Sequence, residues 1–145
     1  MPNGDETRAL TESARNAWGV IVHHEPEGIL ELRWLPSTAT MSDDDFKTTL
    51  ELFAAEAERA RPPSLLIDAT EFRHTPGPGV MEWRDREIIP RYNSAGCTRF
   101  AFHVQEGFPD AVEAGGSPVV SPPAQFPTAW FTGREHALDW LGGSR

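Results

Sequence analysis

Six residues close together have side chains or backbone freedom suited to chemistry or binding: Asp68, His74, Thr75, Gly77, Gly79 and Trp83. Asp68 closes the apolar run Leu65-Leu66-Ile67. The turn Arg73-His74-Thr75-Pro76-Gly77-Pro78-Gly79 follows, and then a stretch of helical character. In an open α/β sheet, ligands and partners meet the chain at the carboxyl ends of the strands. A carboxylate placed there can act as a functional acid, or it can accept hydrogen bonds from the next turn. His74 and Thr75 bring a titratable ring and a hydroxyl to the same end. The amides around Gly77-Pro78-Gly79 could cradle an anion at a helix start. A tight turn that needs unusual φ is the plainer role for the same glycines. No Lys or Arg follows in the spacing of a phosphate-binding loop. Trp83, with Met81 and Tyr92, can line an apolar pocket between helix and sheet or simply fill the core.

Elsewhere the reactive residue types are scattered. His23 and His24 are adjacent on a strand, so their rings point to opposite faces and cannot share a metal. His103 and His136 have no ligand partners at helical or hairpin spacing. Cys97 lacks the neighbouring base that a nucleophile needs. Ser117 and Ser121 lie outside any Gly-x-Ser-x-Gly elbow. Asp43, Asp44 and Asp45 are a run of acids, but no second group of ligands accompanies them. No catalytic constellation, metal site or cofactor motif emerges. An enzyme would need His74 or His103 brought beside Asp68 in a polar pocket.

The elements that must position these residues can be read along the chain. At 145 residues, with 39% hydrophobic residues and five Trp, it suits one domain. Residues 1–16 are polar and aperiodic, and are expected to form a flexible tail before a single domain over 17–142. Trp18 to His24 and Ile29 to Leu35 read as strands around the turn Glu25-Pro26-Glu27-Gly28. In the second, Leu30, Leu32 and Trp34 alternate with Glu31 and Arg33, which predicts a half-buried antiparallel hairpin. Ser42 caps a helix whose first turn holds the three aspartates, where carboxylates suit the dipole. Phe46, Leu50, Phe53, Ala57 and Ala60 give it one apolar stripe, and Pro62-Pro63 stops it. Leu65 to Ile67 is apolar enough for a strand covered on both faces.

Gly79 to about Ile89 reads as a helix, with Glu82–Arg86 and Glu87–Arg91 spaced for ion pairs and Pro90 ending or kinking it. Asn93-Ser94-Ala95-Gly96 makes the exit, and Thr98 to Val104 is a strand. Residues 105–127 are rich in Gly and Pro and predict a long loop, of the kind that often forms a lid or binding loop. Ala129-Trp130-Phe131 is a last strand. Thr132, with Glu135 three residues on, predicts a capping box for a final helix. The order is ββαβαβα, an α/β mixed sheet with an N-terminal antiparallel hairpin and helices packed on it.

Several of these stretches, in this order, resemble the SpoIIAA-like proteins of the STAS fold, a group also compared with small CRAL-TRIO (SEC14-type) lipid-binding domains. They are the hairpin closing on Ile29-Leu30-Glu31-Leu32, the helix from Ser42 to Ala60, Leu65-Leu66-Ile67-Asp68 before a turn and helix, and the strand Arg99 to Val104. The ending Trp130-Phe131-Thr132-Gly133-Arg134-Glu135-His136-Ala137-Leu138-Asp139-Trp140-Leu141 is similar to that family's close, an aromatic strand and a helix with an acid-x-Ala-x-x-Trp-Leu pattern. The resemblance implies a STAS-like fold over roughly 18–142. In sporulation anti-sigma-factor antagonists of this fold, a phosphorylatable serine sits in an Asp-Ser-Ser-Gly turn after the central strand. The matching stretch here, Thr75-Pro76-Gly77-Pro78-Gly79, has no serine, and its one hydroxyl, Thr75, lies several residues from Gly79. A switch that adds charge at the helix N-terminus is therefore not expected.

The net charge of −9, from 13 basic and 22 acidic residues, argues against a nucleic-acid phosphate binder and against docking on anionic lipid. Residues 1–17 lack the apolar stretch of a signal peptide, and no run is long enough to span a bilayer. A single Cys97 excludes an intrachain disulfide. A cytoplasmic protein is expected. These observations favour a non-enzymatic regulatory or binding module that docks a partner protein or small ligand at the turn after the central strand. Two alternatives remain: a small lipid or apolar-ligand carrier with its pocket between helices 42–60 and 79–89 and the sheet, and an enzyme using a His/Asp pair. The apolar hairpin edge near Trp18 could also pair two copies into a homodimer.

Overall fold

The computed structural model describes residues 9–142. Six strands lie side by side in sequence order. They are β1 (Ala9–Arg15), β2 (Gly19–Glu25), β3 (Ile29–Trp34), β4 (Ser64–Asp68), β5 (Arg99–His103) and β6 (Thr128–Phe131). The first three are antiparallel, and β3 through β6 run parallel. The helices are α1 (Asp43–Ala60), α2 (Val80–Glu87), α3 (Ile89–Ala95), α4 (Pro109–Ala114) and α5 (Arg134–Gly142), with a 3-10 turn at Pro36–Thr40. The expected mixed α/β sheet with antiparallel N-terminal strands is present.

The expected tail over 1–16 needs correction for its second half. Residues 9–15 form the edge strand β1, and residues 1–8 lie outside the described residues. β1 is hard to see because its residues are mostly polar. Its ladder with β2 is broken by a bulge between Glu12 and Ala14. A bulge and charged side chains are common ways to blunt an edge. Ala14 packs on the core, and the Ser13 hydroxyl bonds to the Glu56 carboxylate of α1.

The two faces of the sheet are packed differently. One face carries Ile21, Leu30, Leu32, Leu65, Ile67 and Phe100, covered by α1, α2 and α3. Phe46, Leu50, Phe53 and Ala57 of α1 are buried there as their spacing predicts. Full burial of each large side chain contributes about 1.5–3 kcal/mol. The opposite face carries Ile29, Leu66 and Ala101, covered by Ala137 and Leu141 of α5. β4 is thus buried on both faces, as its continuous apolar run implies.

Local signals explain most boundaries. Ser42 accepts from the Asp45 amide and Asp45 accepts from the Ser42 amide, so the start of α1 is a reciprocal cap. The helix expected from Gly79 breaks at Ile88, and Pro90 falls in the first turn of α3, where its missing N–H does no harm. Asn93 to Ala95, expected as an exit loop, are still helical, and Gly96 at φ 93° ends the helix. The ion pairs also differ. Arg91 leaves its own helix and forks onto Glu58 of α1 at 2.7 and 2.9 Å, while Arg86 pairs with Glu87. The last helix begins at Arg134, so Gly133 and not Thr132 precedes it. The 105–127 stretch contains the short α4, begun by Pro109 and ended by Gly115.

Candidate functional site

A cavity of about 680 Å³ opens on the face covered by α1–α3. Its floor is Ile67, Phe100, Phe102 and Trp130, from β4, β5 and β6. Leu50, Met81, Ile89 and Tyr92 close it from the helices, and Phe108, Ala124 and Phe126 close it from the 105–127 stretch. Such a volume is typical of small-molecule sites. The wall is heavily aromatic. Phe102 stacks on Trp130 at 6.0 Å and 9°, and Phe100 on Phe126 at 5.8 Å and 16°.

The 105–127 segment is held in place as a wall. Asn93 of α3 donates to the Pro123 carbonyl at 2.9 Å and accepts from the Gln125 amide at 3.0 Å. Val119 bridges to Thr128 of β6 through two 2.8 Å backbone bonds. The Gln105 amide donates to the Thr70 carbonyl at 2.6 Å, joining the loops after β4 and β5.

The turn after β4 forms another wall, through Ala69, Phe72 and Pro76. It is stitched down at two points. Thr38 accepts from the Arg73 amide at 2.8 Å. Asp43, in the first turn of α1, accepts from the Gly77 amide at 3.2 Å and lies 2.8 Å from His74 Nε2. A Cβ on Gly77 would stand 2.6 Å from Asp43 Oδ2, so glycine allows this approach. His74 and then the Gly77 amide hold the Asp43 carboxyl below its ordinary pKa. An anion cradle at this turn is therefore corrected: the Gly77 amide is taken by the protein's own carboxylate.

The remaining residues singled out from the sequence part company. Thr75 is exposed. Gly79, at φ 81°, precedes α2 and has open space where a Cβ would point, so only its backbone conformation needs glycine. Trp83 does not line the cavity: Lys47 of α1 sits over its ring at 5.4 Å. Met81 and Tyr92 do line it. Asp68 accepts from the Thr70 amide at 3.0 Å and the Thr70 hydroxyl at 2.7 Å, as an acid capping its own turn.

The other face holds a polar cluster that the strand pattern hid. Alternation places Glu31 on a half-solvated face, yet it is fully buried. His24 Nε2 lies 2.7 Å from Glu31 Oε1, and Arg134 forks onto both carboxylate oxygens at 2.8 Å. Arg33 Nε is 3.1 Å from Glu31 Oε2. Burial opposes ionisation of Glu31. The hydrogen bonds from Arg134 and His24, with the charges of Arg134 and Arg33, outweigh it and hold the pKa well below the ordinary carboxylate range. Arg134 Nη1 and His103 Nδ1 each lie 3.7 Å from Asp68 Oδ2. His103 and Asp68 are therefore near one another, while His74 is bound to Asp43 instead. Neither residue of the His103–Asp68 pair lines the aromatic cavity. The signal available in the sequence was indirect: a strand between a hairpin partner and a buried parallel strand has no wet face once a helix covers it.

Cys97 is half-buried, and burial pushes its thiol up to about 12 against the hydrogen bonds that lower it. Among the described residues no group of three or more His, Cys, Asp or Glu side chains is placed to hold a metal ion. No described helix is long and apolar enough to cross a membrane.

The described residues form an α/β protein with a six-stranded mixed sheet and a large aromatic cavity. No family model matches the chain, and no curated protein or solved structure is significantly similar to it.

Proposed function

We propose that this protein is a non-enzymatic binding module that takes up a small apolar ligand between the sheet and α1–α3. The observation that carries this is the 680 Å³ aromatic cavity, walled by the turn after β4 and by the 105–127 segment. It lies where both non-enzymatic expectations converge, beside the carboxyl ends of β4 and β5. Docking of a partner protein on the turn is less well supported, because Thr38 and Asp43 bind its backbone inward. The enzyme alternative is weakened as well. His103 Nδ1 lies 3.7 Å from Asp68 Oδ2, too far for a hydrogen bond, and Asp68 is already engaged by the Thr70 amide and hydroxyl and faces Arg134.

We also retain the kinship with SpoIIAA-like STAS proteins as a proposal. The mixed sheet, the antiparallel start and the strand–helix alternation from β3 onward support it. No serine-based phospho-switch is part of it.

The test is uptake of the neutral fluorophore N-phenyl-1-naphthylamine, paired with native mass spectrometry of the gently purified protein. Saturable one-to-one uptake that is lost in a folded Ala69→Phe variant supports the proposal, since Ala69 lines the cavity. Absence of saturable uptake, or uptake unchanged by Ala69→Phe, would overturn it.

A further inference from the structure

Among the described residues that line the cavity, Tyr92 is the one buried residue that carries a hydroxyl. It is 2% exposed, packed edge-on against Phe53 at 5.9 Å and tilted on Phe100 at 5.4 Å. Among the described residues its hydroxyl makes no hydrogen bond to protein. That hydroxyl is not among the sealed side-chain atoms left without a partner, which are Arg33 Nε and His103 Nδ1, so it is open to the cavity and free to donate to whatever occupies it. The other uncharged hydroxyls on the wall, Ser121 and Thr128, sit on exposed or half-exposed residues.

The charges along the cavity narrow what could meet that hydroxyl. Arg84, Asp85, Asp110 and Glu113 line it, and Arg84 already donates to Asp85 Oδ1 at 3.0 and 3.3 Å. What remains is acidic, which disfavours a carboxylate or phosphate in the ligand. The stacked pairs Phe102–Trp130 and Phe100–Phe126 present ring surfaces suited to a further ring. Offset-stacked and edge-on ring contacts add attraction beyond simple burial.

We infer that the ligand is a neutral, planar aromatic compound with a hydrogen-bond acceptor, such as a carbonyl, that receives the Tyr92 hydroxyl proton. This rests on the apolar-ligand proposal above. The hydroxyl is suited to donate because a tyrosine is protonated at neutral pH, and burial raises the Tyr92 pKa further. Tyr92 thereby serves as a specificity residue of a largely aromatic site.

Three probes of similar shape test this on the full chain: naphthalene, 2-acetylnaphthalene and 2-naphthoate, each titrated into parent protein and Tyr92→Phe. The hydroxyl has no protein partner, so the variant should unfold at the parent's urea midpoint. The expected result is that 2-acetylnaphthalene binds most tightly and is weakened about three- to tenfold by Tyr92→Phe, while naphthalene is unaffected. Equal losses for naphthalene and 2-acetylnaphthalene, or no loss for either, would overturn the role of Tyr92 and leave the cavity proposal standing. Tighter binding of 2-naphthoate would overturn the neutral ligand. Failure of all three probes to bind saturably would overturn the cavity proposal itself.

Discussion

The two faces of the central sheet make opposite use of their side chains. The α5 face gathers His24, Glu31, Asp68, His103 and Arg134, the residue types that usually do chemistry. There the buried charge is matched: Glu31 is fully buried and engaged by Arg134, His24 and Arg33. The α1–α3 face is built mainly of aromatic and aliphatic groups, with Arg84, Asp85, Asp110 and Glu113 beside them, and it carries a large open cavity. Reactive residue types are a poor guide to function where the fold engages most of them itself; among the described buried side-chain atoms only Arg33 Nε and His103 Nδ1 lack a hydrogen bond. A cleft of ligand size lined by several aromatic rings is a better guide, because small-molecule sites are concave and mostly apolar.

The largest effect should come from opening the ionic clasp. Arg134→Met leaves the Glu31 carboxylate buried with fewer partners, and a loss of about 3 kcal/mol is expected in urea unfolding. Uptake of an apolar probe by the folded fraction should survive. If probe uptake disappears while the fold persists, the two faces are not independent and the comparison fails.

Acid provides the next test. The folded-state pKa of Glu31 is depressed, so its ionised form contributes stability that is fully present above the unfolded-chain value of about 4.3. That contribution is lost as pH falls from there through the folded value. Asp43, also depressed, acts with the same sign. The urea midpoint should therefore fall below about pH 5, and Glu31→Gln should make the fall shallower. An equally steep fall in Glu31→Gln would show that the clasp is not what acid breaks.

Smaller effects are expected at the turn. Gly79→Ala meets no atom within 4 Å but must hold φ near 81°, at a cost of about 1 kcal/mol. Gly77→Ala displaces the Asp43 carboxylate, a flexible group, so its loss in urea unfolding should be well below that of Arg134→Met. Its more telling readout is the His74 imidazole, whose NMR shifts should move as the Asp43 contact is lost. Unmoved His74 signals would mean that the turn is not held through Asp43.

Much of the frame was legible in the residues. The stripe Phe46, Leu50, Phe53 and Ala57, the Ser42 cap and the apolar run before Asp68 each state their element through local chemistry. β1 was not legible, because an edge strand needs little apolar character and takes its order from pairing with β2. α4 was hidden for a related reason: it buries no side chain, so it has no periodic stripe to read. At the site, spacing and position allowed Met81 and Tyr92 either to line a pocket or to fill the core, and could not choose between the two; both line the cavity. Trp83 lies off the cavity wall, with the Lys47 ammonium of α1 over its ring. The Glu31 clasp depends on contact between residues 31 and 134, which no local pattern encodes.

The most direct test of the central claim is an aromatic-region NMR titration of the full chain with 2-acetylnaphthalene. The account predicts shifts at Tyr92, Phe102 and Trp130, with the imidazole signals of His24 and His103 unmoved. Shifts confined to His24 and His103 would place binding on the α5 face and contradict it.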